Sequence, residues 1–104
     1  MYGRLIEIEG IDPSKRDEVE GIIRERVIPS LKDLDGFGGF ISLVDEQNRR
    51  ARSVVLWETK ENADAAERQF GPRREEIVRS VGGTVRSADL YEAPIVEVQT
   101  GVRA

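Results

Sequence analysis

Two apolar runs, FGGFISLVD at 37–45 and ARSVVLWE at 51–58, are separated by the five polar residues 46–50. This arrangement restricts the chain more than any other feature, because it reads as an antiparallel hairpin with apolar side chains on both faces. Centring the turn on Gln47-Asn48 sets Phe40 opposite Val55, Ile41 opposite Val54 and Gly38 opposite Trp57. One face then carries Phe40, Ser42, Val44, Ser53, Val55 and Trp57, and the other Ile41, Leu43, Val54 and Leu56. A shift of register by two residues leaves both sets intact, since strand side chains alternate with period two.

The flanking sequence supplies the remaining elements. Residues 3–9, GRLIEIE, alternate as a first strand, with Ile6 and Ile8 on one side and Leu5, Glu7 and Glu9 on the other. Asp12-Pro13 predicts a helix start, with Asp as the cap and Pro at the first helical position. Val19, Ile22, Ile23, Val27, Leu31 and Leu34 then fall on one stripe. Pro29 should kink or loosen its last turns, and Gly36 ends it. Thr59 caps a second helix carrying Ala63, Ala66 and Phe70, which Gly71-Pro72 is expected to interrupt. A short helical piece with Ile77 and Val78 follows and stops at Gly82-Gly83. Residues 84–92 alternate as a fourth strand, and IVEV at 95–98 extends it or pairs elsewhere after Pro94. The order βαββαβ predicts a single α+β domain over residues 1–104, ferredoxin-like, with two helices on one face of an antiparallel four-stranded sheet.

Two helices cover only one face of that sheet. Leaving the other exposed would cost roughly 1.5–3 kcal/mol per large aliphatic side chain relative to burial. A homodimer packed through the sheet face satisfies both sides, whereas the C-terminal tail has too few apolar residues to do so.

Composition narrows the chemistry. The 104-residue chain has neither cysteine nor histidine. Disulfides, thiolate chemistry, Cys- or His-based metal sites and Ser-His or Cys-His nucleophiles are therefore outside its repertoire. Neither a metal nor another cofactor is expected. A net charge of −4 argues against a nucleic-acid partner. The Arg49-Arg50-Arg52 cluster reads as a solvated hairpin loop. No apolar run approaches the ~18 residues of a membrane span, and MYGRLIEIEG lacks the pattern of a signal peptide. The expected location is cytoplasmic.

Two stretches, VIPSLKDLDGFGGF at 27–40 and VVLWETKENADAA at 54–66, resemble the dimeric α+β barrel proteins and, within them, the antibiotic biosynthesis monooxygenase-like family. The resemblance implies a small apolar pocket between helices and sheet in each subunit. It implies either a cofactor-independent monooxygenase acting on an aromatic or polyketide-like molecule, or a non-catalytic small-molecule-binding or stress-related dimeric module. Trp57 would be the aromatic on the pocket side of the third strand, and Phe40, Ser42, Asn62 and Phe70 would join it as ligand-pocket residues. Relatives often carry a histidine in the second helix, where this chain has Ala65, Ala66 and Arg68. That departure removes the iron ligand on which haem-degrading relatives depend. Cofactor-independent oxygenation needs only an ionisable, electron-rich substrate in a dry site.

Each candidate also has a plainer reading. Trp57 either forms a ligand wall beside Gly38 or fills the space the glycine leaves. Glu7, a carboxylate in a central strand, is the one candidate general base; its alternative is an ion pair with an arginine such as Arg86, or a place at the dimer seam. GFGGF at 36–40 leads into a strand and lacks the residues of a phosphate loop. Asp33 and Asp35, and Asp45 with Glu46, read as surface charge rather than a cation site. The face that carries Tyr91 stays open. Convergence of Glu7, Ser42 and Asn62 beside Trp57 would favour catalysis, and an apolar cavity without a protonatable group would favour binding.

Overall fold

In a computed structural model, residues 1–99 are described. Strand β1 (Tyr2–Glu9) lies between its two antiparallel neighbours. The first helical stretch starts as expected: the Asp12 carboxylate accepts the Ser14 N–H at 2.9 Å, and Pro13 opens a 3-10 turn, Pro13–Lys15. Helix α1 (Arg16–Ile22) follows. Pro29 has no N–H to donate and its ring crowds the preceding turn. The chain accommodates it with a π turn, Ile23–Val27, closed by the Ile28 N–H on the Ile23 carbonyl, before α2 (Ile28–Lys32).

Strands β2 (Phe37–Asp45) and β3 (Arg50–Trp57) form the hairpin. Phe40 opposes Val55 and Ile41 opposes Val54, as the turn centre required. The connection is one residue shorter than the sequence suggested, because Arg50 joins β3 opposite Asp45. Gly38 does not face Trp57. A bulge between Phe37 and Gly39 sets Phe37 opposite Trp57 instead, and the extra residue reverses the alternation there. Phe37 and Phe40 therefore both pack against the helix-side core, three residues apart.

Helix α3 (Lys60–Ser80) is continuous, and the expected break at Gly71-Pro72 does not occur. Proline disfavours the helical conformation of the residue before it partly through that residue's Cβ, which Gly71 lacks. Pro72 itself is exposed, so the helix loses one hydrogen bond without burying an orphaned carbonyl. The helix ends in a Schellman arrangement: Gly82 sits at φ +82°, its N–H reaches the Arg79 carbonyl, and the Gly83 N–H reaches that of Val78.

With β4 (Thr84–Glu92), the described strands form one antiparallel sheet ordered β2-β3-β1-β4, the ferredoxin-like α+β fold. The segment at 95–98 belongs to no strand; the last rung past β4 is the Ala93 N–H on the Met1 carbonyl. The helix-side core has two centres. Val27, Leu31, Val55, Trp57, Ala63, Ala66 and Phe70 form one, and Ile6, Ile8 and Val78 the other. The outer face carries Ile41 and Leu43, which are exposed, together with Val54 and Leu56.

Candidate functional site

The helix-side core is hollow. A cavity of about 90 Å³ lies between the two core centres, bounded by β1, β2 and β3 below and the helices above. That is several times the roughly 10–15 Å³ a single water needs. Its walls are mainly aliphatic and aromatic, with Phe40, Val55 and Trp57 from the hairpin and Ala63, Ala66 and Phe70 from α3. Trp57 is 2% exposed, and Phe37 packs edge-on against it at 5.9 Å between ring centres. The small side chains at 63 and 66 keep the helix close to the strands while leaving space beside the indole.

A second cavity of similar volume adjoins the first. Ile8, Ile11, Val19, Ile23 and Ser53 line both. The second continues past Ser42 and Val44 to the hairpin end, where Arg16, Glu46 and Arg50 surround it. Together they make a mainly apolar space, walled by Trp57 in the first part and rimmed by charge at the hairpin end.

The Trp57 cavity also holds a polar cluster. Arg4 enters it from β1, on the same face as Ile6, and Glu67 and Arg74 enter from α3, two helical turns apart. Arg74 grips Glu67 with a two-pronged fork: Nη1 donates to Oε1 at 2.9 Å and Nη2 to Oε2 at 2.7 Å. Arg4 Nη1 donates to the Ala88 carbonyl at 3.1 Å. Its other acidic neighbours stand farther off, Glu67 Oε1 at 3.6 Å from Nε and Asp64 Oδ1 at 3.8 Å from Nη2.

Comparison with models of protein families gives no match. Two uncharacterised proteins of Mycobacterium tuberculosis H37Rv are related in sequence. Rv2557 is 37% identical over 62 residues, covering 60% of this chain and 28% of its own length. Rv2558 is 31% identical over 86 residues, covering 83% of this chain and 36% of its own length. The chain thus spans only about a third of the curated relatives it matches. Among solved structures, HapK from Hahella chejuensis superposes with a TM-score of 0.73 at 16% identity, over 97% of this chain and all of its own. SnoaB, a cofactor-independent oxygenase from Streptomyces nogalater, gives 0.68 at 14% identity, over 91% and 94%. The ActVA-Orf6 monooxygenase of Streptomyces coelicolor, solved with nanaomycin D, gives 0.66 at 12% identity, over 96% and 92%.

The chain has the ferredoxin-like fold that these solved structures share.

Within this fold the expected site residues are only partly brought together. Phe40, Trp57 and Phe70 line the first cavity, and Ser42 lines the second. Asn62 lies at the start of α3, outside both linings. Its N–H bonds to the Thr59 hydroxyl oxygen at 3.0 Å, and that hydroxyl donates to its side-chain oxygen at 2.7 Å. The Asn62 side chain also occupies the space where a Cβ at Gly36 would stand. Glu7 is on the opposite face of the sheet, between Arg52 of β3 at 3.3 Å and the Ser87 hydroxyl of β4 at 3.1 Å. The plainer reading of Glu7 as an ion pair thus finds its partner in Arg52, while Arg86 pairs with Glu9. Tyr91 opposes Gly3 and is exposed on the Glu7 side. Asp45 and Glu46 are taken up by Arg50 and Arg16. Arg4, Glu67 and Arg74 escaped the sequence reading. Their signal was present, in the parity of Arg4 with Ile6 and Ile8 and in the stripe 63, 67, 70, 74, 77 on α3.

Proposed function

We propose that this protein is a cofactor-independent monooxygenase that oxidises an aromatic or polyketide-like small molecule between its helices and its sheet. The observation that carries the reading is the hollow apolar core walled by Trp57. Its fold is shared over most of the chain with SnoaB and ActVA-Orf6, the latter solved with nanaomycin D. In such a reaction the substrate itself supplies the electrons. An anthrone-type CH2 combines with O2 to give a C=O and one water, with both hydrogens leaving in the water. The protein's part is to hold the ring system flat, keep bulk water out and place charge beside the reacting edge. Phe40, Trp57 and Phe70 are the walls in this reading, and Ser42 borders the extension toward the hairpin end. Glu7 has no part in it, because the sheet stands between it and the cavity. The working unit is a homodimer joined through the outer sheet face.

The test is oxygen uptake by the pure protein with hydroquinone-type and anthrone-type compounds. Acceleration over buffer is expected, and Trp57→Leu should reduce it at least tenfold. No acceleration across the panel would sink the oxygenase. A specific observation favours the second reading, a non-catalytic binding module. Both oxygens of Glu67, the carboxylate lining the cavity, are already engaged by Arg74. That reading expects saturable ligand binding with no oxygen consumption.

A further inference from the structure

Besides the indole of Trp57, the polar side chains lining the first cavity are Arg4, Ser53, Glu67 and Arg74. The three charged ones are engaged. Arg74 and Glu67 hold each other through both carboxylate oxygens. Arg4 donates to the Ala88 carbonyl and faces the Glu67 and Asp64 carboxylates at 3.6 and 3.8 Å. Ser53 is the exception. It opposes Ser42 across the β2–β3 pair, and it lines both cavities while Ser42 lines the second. Directly opposed residues on one sheet face hold their Cβ atoms roughly 5 Å apart, close enough for two hydroxyls to serve one ligand oxygen. Among the described residues neither hydroxyl has a hydrogen-bond partner, and neither oxygen is sealed in. The buried side-chain polar atoms without a partner are instead Nε of Arg4 and Nε of Arg74. Ser42 and Ser53 are thus a free polar pair where the two cavities adjoin.

We infer that Ser53, assisted by Ser42, is the polar anchor of the cavity, and that it orients a neutral fused-ring phenol whose far ring lies against Trp57. The inference rests on the proposal that this cavity is a ligand site and adds the residues that orient the ligand. A serine hydroxyl both donates and accepts, as a phenol does, so the match needs no charge on either side. A carboxylate finds no uncommitted cation in the lining, because Arg4 and Arg74 already face carboxylates. The length fits as well. Ser53 and Trp57 lie four residues apart on one face of β3, about 13 Å along the strand. Subtracting a hydrogen bond at one end and van der Waals contact at the other, about 3 and 3.5 Å, leaves roughly 7 Å for two fused rings.

Calorimetric titration at pH 7 with 2-naphthol and 2-methylnaphthalene tests this, since the two share a shape and differ in the hydroxyl. The quantity read is the ratio of their affinities, compared between variants so that the greater hydrophobicity of the methyl compound cancels. Ser53→Ala should lower the relative affinity for naphthol about fivefold, the contribution of one neutral hydrogen bond. Ser42→Ala should lower it by a smaller factor. Ser87→Ala, on the opposite sheet face and bonded to Glu7, should leave it unchanged. 2-Naphthoate should bind more weakly than 2-naphthol. A ratio untouched by Ser53→Ala, or tighter binding of the naphthoate, overturns the inference and leaves the cavity as a ligand site. Binding of none of the three compounds overturns both. A ratio that falls in Ser53→Ala, without oxygen uptake in the earlier assay, supports the inference while removing only the oxygenase.

Discussion

Trp57 combines two roles that sequence reasoning set against each other. It belongs to the larger core centre and also walls the cavity, because the small residues Ala63 and Ala66 of α3 pack nearby without filling the space. Removing the indole would enlarge an existing void and strip Phe37 of its edge-on partner. Trp57→Ala should therefore destabilise the fold by about 3–5 kcal/mol, read as a lower urea midpoint by far-ultraviolet circular dichroism. A loss under 1 kcal/mol would show that the ring contributes little to packing. Asn62 is the opposite case, a predicted pocket residue that serves the α3 cap and fills the space beside Gly36, whose φ of +80° suits glycine.

At the level of elements, the two prolines have different outcomes for physical reasons. Pro29 follows the π turn at Ile23–Val27, which relieves the crowding behind its ring. Pro72 follows a glycine and faces solvent, so α3 runs straight through it. The hairpin turn is held by charge. Asp45 accepts from the Asn48 side chain at 2.9 Å and from Arg50 at 2.7 Å. The Asn48 hydrogen bond, and then that of Arg50, holds the Asp45 carboxyl below its usual 3.8. Asp12 is lowered similarly by the Ser14 N–H. Both contributions are complete above the usual carboxylate value and fade as pH falls through the lower folded value. Urea midpoints measured downward from pH 6 should fall below about pH 4, and Asp45→Asn should flatten that fall. An unchanged acid limb in the variant would remove Asp45 as a contributor.

For the molecule as a whole, the outer sheet face is the unfinished surface. Ile41, Leu43 and Tyr91 are exposed on it, beside the half-buried Leu5 and Val54 and the Arg52–Glu7 pair. An apolar patch rimmed by charge is typical of an interface. Sedimentation at micromolar concentration should give twice the chain mass, and Ile41→Glu with Leu43→Glu should return it to one. A monomeric unaltered protein would contradict the two-faced sheet argument.

Much of this architecture was legible in the order of residues. Period-two and period-3.6 patterns depend only on local backbone geometry, so the βαββαβ order, the Asp12 and Thr59 caps, the Phe40–Val55 register and the two-faced hairpin followed from it. Three features did not, because each depends on contacts between distant segments. The bulge at Gly38 changed the partner of Trp57 and brought Phe37 to the helix side. Sheet order placed Arg52 beside Glu7, taking that carboxylate away from the cavity. The packing of α3 over β1 brought Arg4, Glu67 and Arg74 together across more than sixty residues of sequence. Periodicity assigns a side chain to a face; only the packed structure decides which charges on that face share an enclosure, and so what the cavity can hold.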